Sequence, residues 1–78
     1  MERYIVTAEG KDRLDVLNRI STLCLQKRLE VENFEFSRTA PQHGEYKITC
    51  YSDKQDMIER LVSQINNIVE IKRAYYTI

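Results

Sequence analysis

Two stretches of this chain space their apolar residues as a helix does, and four short β-branched or aromatic runs surround them. That alternation constrains the fold more than any other feature of the sequence. In the first stretch Leu14, Leu17, Ile20, Ser21 and Cys24 form one stripe, with Val16 and Leu23 beside it. The spacing predicts a helix from Leu14 to Lys27. Asp12 and Asp15 precede it and Lys27 and Arg28 follow, the signs that a helix dipole favours at each end. The second stretch carries Met57, Ile58, Leu61, Val62 and Ile65, opened by Ser52 or Asp53 as cap and closed by Asn66-Asn67.

The remaining runs read as strands. Tyr4–Ala8 comes first and is broken by Gly10-Lys11-Asp12. Val31–Arg38 places Phe34 and Phe36 on one face with Val31 out of phase, so a bulge is expected near Asn33. Thr39 to Gly44 contains the single proline and marks a turn. Glu45–Ser52 alternates, with Tyr46, Ile48 and Cys50 inward and Lys47, Thr49 and Tyr51 outward. Val69–Thr77 is the last strand.

The order is βαββαβ, an α+β chain. Right-handed crossovers fold it into a ferredoxin-like sandwich, a four-stranded antiparallel sheet in the order 4-1-3-2 with both helices on one face. The second strand is then an edge. Val31, Asn33, Phe34 and Phe36 make it a poor strand to leave unpaired, and a homodimer that joins two such edges is the expected remedy.

Length supports that expectation. Seventy-eight residues suffice for one domain, spanning 1–78, and not for two. A chain of this size buries about 60% of the surface that its unfolded form exposes, so stability from the core alone is thin. The two cysteines, Cys24 and Cys50, fall inside apolar patterns without metal-ligand spacing, and read as buried thiols. Neither a disulfide nor a metal is expected to supply the missing stability.

Charge and motifs exclude several functions. Twelve basic residues balance twelve acidic ones, which gives no attraction to nucleic acid or to an anionic membrane. No apolar signal segment or membrane-length run is present, so a cytoplasmic location is expected. The first loop has no thiol pair for carrying metal. The third strand puts Glu45 and Lys47 where an RNA-recognition sheet needs stacking rings. His43, the sole histidine, lies in the turn without a nucleophile beside it, and Glu30, Glu32 and Glu35 read as a solvated face. No catalytic residue and no cofactor is expected. The loops flanking the first helix, placed at one end of the sheet, are the remaining candidates for a small ligand, since free N–H groups at a helix N-terminus attract carboxylates.

The chain resembles the ACT domain, specifically that of the small regulatory subunit of acetolactate synthase. The resemblance rests on Leu17-Asn18-Arg19-Ile20 with Val31-Glu32-Asn33-Phe34, on Glu45 through Asp53, and most strongly on Ile58-Glu59-Arg60-Leu61 with Gln64 through Ile71. It implies a non-catalytic homodimer that binds and activates a thiamine-diphosphate-dependent catalytic subunit in branched-chain amino-acid biosynthesis. It also implies an amino-acid effector, such as valine, held at the dimer interface by the two loops around the first helix. The family's first loop typically carries Asn and then Pro-Gly; Asp12, Leu14 and Asp15 stand at the matching positions. Its second loop typically carries Gly and Asn; here they are Arg28 and Glu30. The candidate effector residues are therefore Asp12, Arg13, Leu14, Asp15, Arg28, Leu29 and Glu30. Two carboxylates beside the helix start repel an amino-acid carboxylate, and arginine obstructs the close approach that glycine permits. A weak or absent valine response is expected. Arg13, Arg28 and Leu29 are the exposed candidates for contact with the catalytic partner.

Overall fold

The structure, a computed structural model, describes residues 1–78. Its elements are β1 (Glu2–Lys11), α1 (Leu14–Gln26), β2 (Glu30–Ala40), β3 (His43–Ser52), α2 (Gln55–Asn66) and β4 (Ile71–Thr77). The strands form one sheet in the order β2-β3-β1-β4, antiparallel at every pairing, so the ferredoxin-like topology read from the sequence is the one observed.

The core lies between the helices and one face of the sheet. Tyr4, Val6 and Ala8 of β1 and Tyr46, Ile48 and Cys50 of β3 point into it, and Val16, Ile20 and Cys24 of α1 and Ile58, Leu61 and Ile65 of α2 cover them. Each large aliphatic side chain buried this way contributes about 1.5–3 kcal/mol. Cys24 and Cys50 are free and buried, as their apolar patterns predict. Tyr76 of β4 closes one side by meeting Tyr4 edge-on at 5.9 Å.

Several details differ from the sequence reading. Gly10 does not end β1: the strand continues to Lys11, and Gly10 pairs with Gly44 on one side and Ile71 on the other. A Cβ there would stand 2.3 Å from the carbonyl oxygen of Glu70, so glycine permits a close backbone approach and is not a breaker. Along α1, Leu14 is 78% exposed and Ser21 is also exposed; the buried stripe is narrower than the periodicity suggests. Val69 is 93% exposed in the turn before β4, held outside the strand by turn hydrogen bonds from Ile68 N–H to Ile65 and from Ile71 N–H to Ile68. The N-caps are Arg13 and Lys54, neither with a side-chain capping bond. Ser52 instead accepts the Lys54 N–H at 3.1 Å, bracing the turn ahead of α2. Thr49, assigned to the outer face, is nonetheless buried, with Ile5 and Asn33 as its partners on the adjoining strands.

The bulge expected near Asn33 is present: the β2–β3 register shifts between Val31 and Asn33. A second shift lies between Arg38 and Ala40, next to the turn in which Gln42 has a φ of 64°.

Candidate functional site

The β1–α1 loop is built onto the core by one tyrosine. Tyr46 is fully buried in β3, and its hydroxyl donates to the Lys11 carbonyl at 2.6 Å while accepting the Arg13 N–H at 3.2 Å. The ring of Phe36 stacks on Tyr46 at 4.9 Å between centroids. A Cβ at Gly44 would stand 2.6 Å from that phenylalanine ring and 3.1 Å from the Cβ of Asp12. Glycine at 44 is what lets β2, β3 and the loop close on one another.

The acidic side chains of this loop are already engaged. Asp12 has a side chain only 8% exposed and is salt-bridged to Arg38 near the end of β2. Asp15 accepts two hydrogen bonds from Arg13, at 2.9 and 3.0 Å, and one from Arg19 at 3.4 Å. Arg19 also reaches Glu70 at 2.9 Å, tying α1 to the turn before β4. Partial burial works to raise the Asp15 carboxyl, but the hydrogen bonds and charge of Arg13 and the charge of Arg19 outweigh it and hold it below the usual carboxylate range. Glu70 is likewise held low, first by its own backbone N–H and then by Arg19. The start of α1 therefore carries a fixed negative charge with its own arginine partners. It is not a vacant cradle for a ligand carboxylate.

The second loop is a tight helix exit. Leu29 N–H donates to the Cys24 carbonyl at 3.1 Å and Arg28 N–H to the Leu25 carbonyl at 3.0 Å, the paired bonds of a Schellman motif. Arg28 occupies the left-handed position of that motif, with a φ of 51°. This is the place where the resemblance expects glycine, and the backbone shows why: a left-handed residue is required there. Leu29 is half-buried against the core, so its place among exposed contact candidates is corrected.

The placement of the two loops is also corrected. They do not share an end of the sheet. The β1–α1 loop sits beside the β2–β3 turn, as the Asp12–Arg38 bridge and the Lys11–His43 pairing require. Arg28, Leu29 and Glu30 sit at the opposite end of α1, where they line a shallow groove with Ser52, Asp53 and Met57. Within one chain the candidate effector residues form two separate groups.

The β2 edge carries a third feature. Val31 and Phe36 are exposed, Phe34 is half-buried, and Phe34 and Phe36 line a groove with Leu17, Asn18 and Ser21 of α1. Leu25, exposed on the same helix, extends the apolar surface. Asn33 is exposed on the strand and bonds Glu35 at 2.9 Å. Sequence reading identified this strand but missed Tyr46, Arg38 and Arg19 as the residues that fix the first loop. Tyr46 was visible only as one more inward residue of an alternating strand, and nothing local marks Arg38 as the partner of Asp12.

No helix is long and apolar enough to cross a membrane. His43 begins β3 and is half-buried there, one residue beyond the turn.

Sequence comparison gives no match to a family model or to a curated protein. Comparison of structures does. The fold is that of the ACT domain: the ACT domain from GTP pyrophosphokinase of Chlorobium tepidum superposes with a TM-score of 0.83 at 8% identity, over 96% of each chain. The acetolactate synthase small subunit from Thermotoga maritima superposes with a TM-score of 0.80 at 14% identity, over 97% of this chain and 47% of that one. The C-terminal domain of the MgtC protein from Mycobacterium tuberculosis is similar as well, with a TM-score of 0.80 at 9% identity over 96% of this chain.

Proposed function

We propose that this chain is a non-catalytic regulatory subunit of acetolactate synthase, acting as a homodimeric ACT unit that binds the thiamine-diphosphate-dependent catalytic chain and raises its activity. The observation that carries the reading is the ACT fold, shared over 97% of this chain with an acetolactate synthase small subunit, together with the residue resemblance from Ile58 to Ile71. The β2 edge, with Val31, Asn33, Phe34 and Phe36, supports the dimer. Antiparallel pairing of two β2 edges about a two-fold axis brings the Arg28–Glu30 loop of one chain toward the Asp12–Asp15 loop of the other, reuniting the candidate effector residues across the interface.

Valine is a poor ligand for that composite site. Asp12 and Asp15 already have their own arginine partners, and Arg28 projects a long side chain from a glycine-like position.

A second reading is an ACT-type amino-acid sensor, or a paralogue that regulates another enzyme. It is favoured by the superposition on the ACT domain of a GTP pyrophosphokinase, at a TM-score of 0.83. The deciding experiment is acetolactate formation by the catalytic subunit with increasing amounts of this protein. A saturable rise in rate supports the first reading. An unchanged rate with no co-elution of the two chains overturns it, and a ligand-dependent rise in melting temperature then supports the sensor.

A further inference from the structure

An open sheet has two edges, and each offers backbone N–H and C=O groups to any strand that approaches. The two edges of this sheet are treated differently. On β4, the N–H and C=O of Ala74 are both bonded to the side-chain amide of Asn66, the last residue of α2. Asn66 Nδ2 donates to the Ala74 carbonyl at 3.1 Å, and the Ala74 N–H donates to Asn66 Oδ1 at 2.8 Å. The same helix holds β4 at a second point: the Tyr76 hydroxyl accepts from Gln55 at 3.0 Å and donates to Glu59 at 3.1 Å. A side-chain amide with one donor and one acceptor in use matches a peptide unit of a neighbouring strand. Asn66 therefore stands where a fifth strand would pair.

On the other side, β2 has β3 as its sole ladder and ends the sheet. Its charges are unevenly distributed. Glu30 and Glu32 lie in its first half, Glu35 at its centre and Arg38 near its end. Antiparallel alignment with a second copy sets each Arg38 beside the acidic half of the other strand, whereas parallel alignment stacks like charge on like.

We infer that Asn66 closes the β4 edge, so that sheet extension by a second copy is confined to β2 and stops at two chains. The limit of two rests on the β2 dimer proposed above; the closure of β4 does not. With β4 open as well, two-fold dimers would have a second edge to pair through, and growth would not terminate.

The test compares the wild type, Asn66→Ala, and Asn66→Ala combined with Ala74→Pro, by sedimentation velocity over a concentration series. Wild type is expected to contain no species above two chains. Asn66→Ala is expected to add larger, concentration-dependent species. Proline at 74 removes the N–H that the first change frees, and returns the distribution to that of wild type. Circular dichroism checks that each variant is folded. A folded Asn66→Ala protein with the wild-type distribution overturns closure while leaving a dimer intact. A monomeric wild type whose Asn66→Ala variant still grows upholds closure and overturns the dimer alone. Hydrogen exchange on the wild type needs no variant: the Ala74 amide is expected to exchange as slowly as amides inside the β1–β4 ladder, and exchange at the rate of an exposed amide overturns the inference.

Discussion

The Tyr46 hydroxyl donates to the carbonyl of Lys11 at 2.6 Å, which ties the first loop directly to a residue of the core. Because the ring is buried and stacked on Phe36, the hydroxyl is confined to this loop, where the Arg13 carbonyl at 3.2 Å is its other acceptor. Tyr46→Phe keeps the packing and removes the hydrogen bonds to Lys11 and Arg13. The Arg13 N–H and the Lys11 carbonyl keep their mutual hydrogen bond at 3.1 Å, so the loss is that of ordinary hydrogen bonds, about 0.5–1.5 kcal/mol. Urea unfolding should show a lower midpoint at unchanged slope, and amide exchange should accelerate from Lys11 to Asp15 more than elsewhere. Uniform acceleration would show that the hydroxyl stabilises the whole fold and not this loop.

Arg28 is the one helix-exit residue whose backbone opposes its side chain, with a φ of 51°. A non-glycine residue in that conformation costs about 1–2 kcal/mol, and part of the relief is returned through the freer unfolded chain when glycine is introduced. Arg28→Gly should therefore stabilise the protein by about 0.5–1 kcal/mol. Arg28→Ala, which keeps the Cβ, should change stability little. Equal effects of the two would place the gain in the charge and not in the backbone.

Element order, strand order and the core face were legible because they depend on local periodicity. Tyr46, Ile48 and Cys50 alternate inward, and the 3.6-residue spacing of Ile58, Leu61 and Ile65 survives intact. The bulge near Asn33 was legible for the same reason, since Val31 breaks phase with Phe34 and Phe36. The errors arose where a residue's role is set by a distant partner. Gly10 looks like a breaker until Glu70 is seen against it. Leu14 fits the helical stripe, but it begins the helix where the sheet no longer covers it, and Val69 extends an apolar run that the turn at Ile68 has already ended. The two loops stand out in the sequence by their charges, but their separation to the two ends of α1 and the Asp12–Arg38 bridge follow from tertiary geometry alone.

Valine titrated into the protein by calorimetry should give no heat. The loop carboxylates are engaged by Arg38, Arg13 and Arg19, so an amino-acid carboxylate meets negative charge whose counterions are already in place. A dissociation constant in the micromolar range would overturn this reading and return the two loops to the role that the family resemblance implies.

Acid should weaken the fold through Asp15 and Glu70. Both are held below the usual carboxylate range, with Arg19 contributing to each. A depressed folded value means that the stabilisation is present above the unfolded carboxylate pKa of about 4 and is lost as pH falls through the folded values. The melting temperature should therefore fall below that range, and Arg19→Gln should flatten this limb. The alkaline limb has the opposite sign. Burial pushes Cys50 and Cys24 from 9.0 up to about 11. Their contribution is complete below pH 9 and is lost as pH rises toward 11. Thiolate absorbance should appear with unfolding and not before it.

The β2 edge yields the last test. Val31 and Phe36 are exposed there beside the groove formed by Phe34 and Leu17. If two copies join through this edge, the protein should sediment as a dimer at micromolar concentration. Val31 pairs with Cys50 and lies on the helix-facing side of β2, so Val31→Lys places an inward-pointing charge on the edge strand, a device by which such strands resist pairing. Val31 is 38% exposed, so the longer lysine can carry its ammonium to solvent, and circular dichroism checks that the variant is folded. The substitution should shift the protein to a monomer. The control is Arg60→Gln on α2, a charge change of the same one unit at an exposed side chain away from the edge, which should leave the dimer unchanged. A monomeric wild type, or a Val31→Lys protein that still sediments as a dimer, would move the interface off β2 and with it the composite effector site.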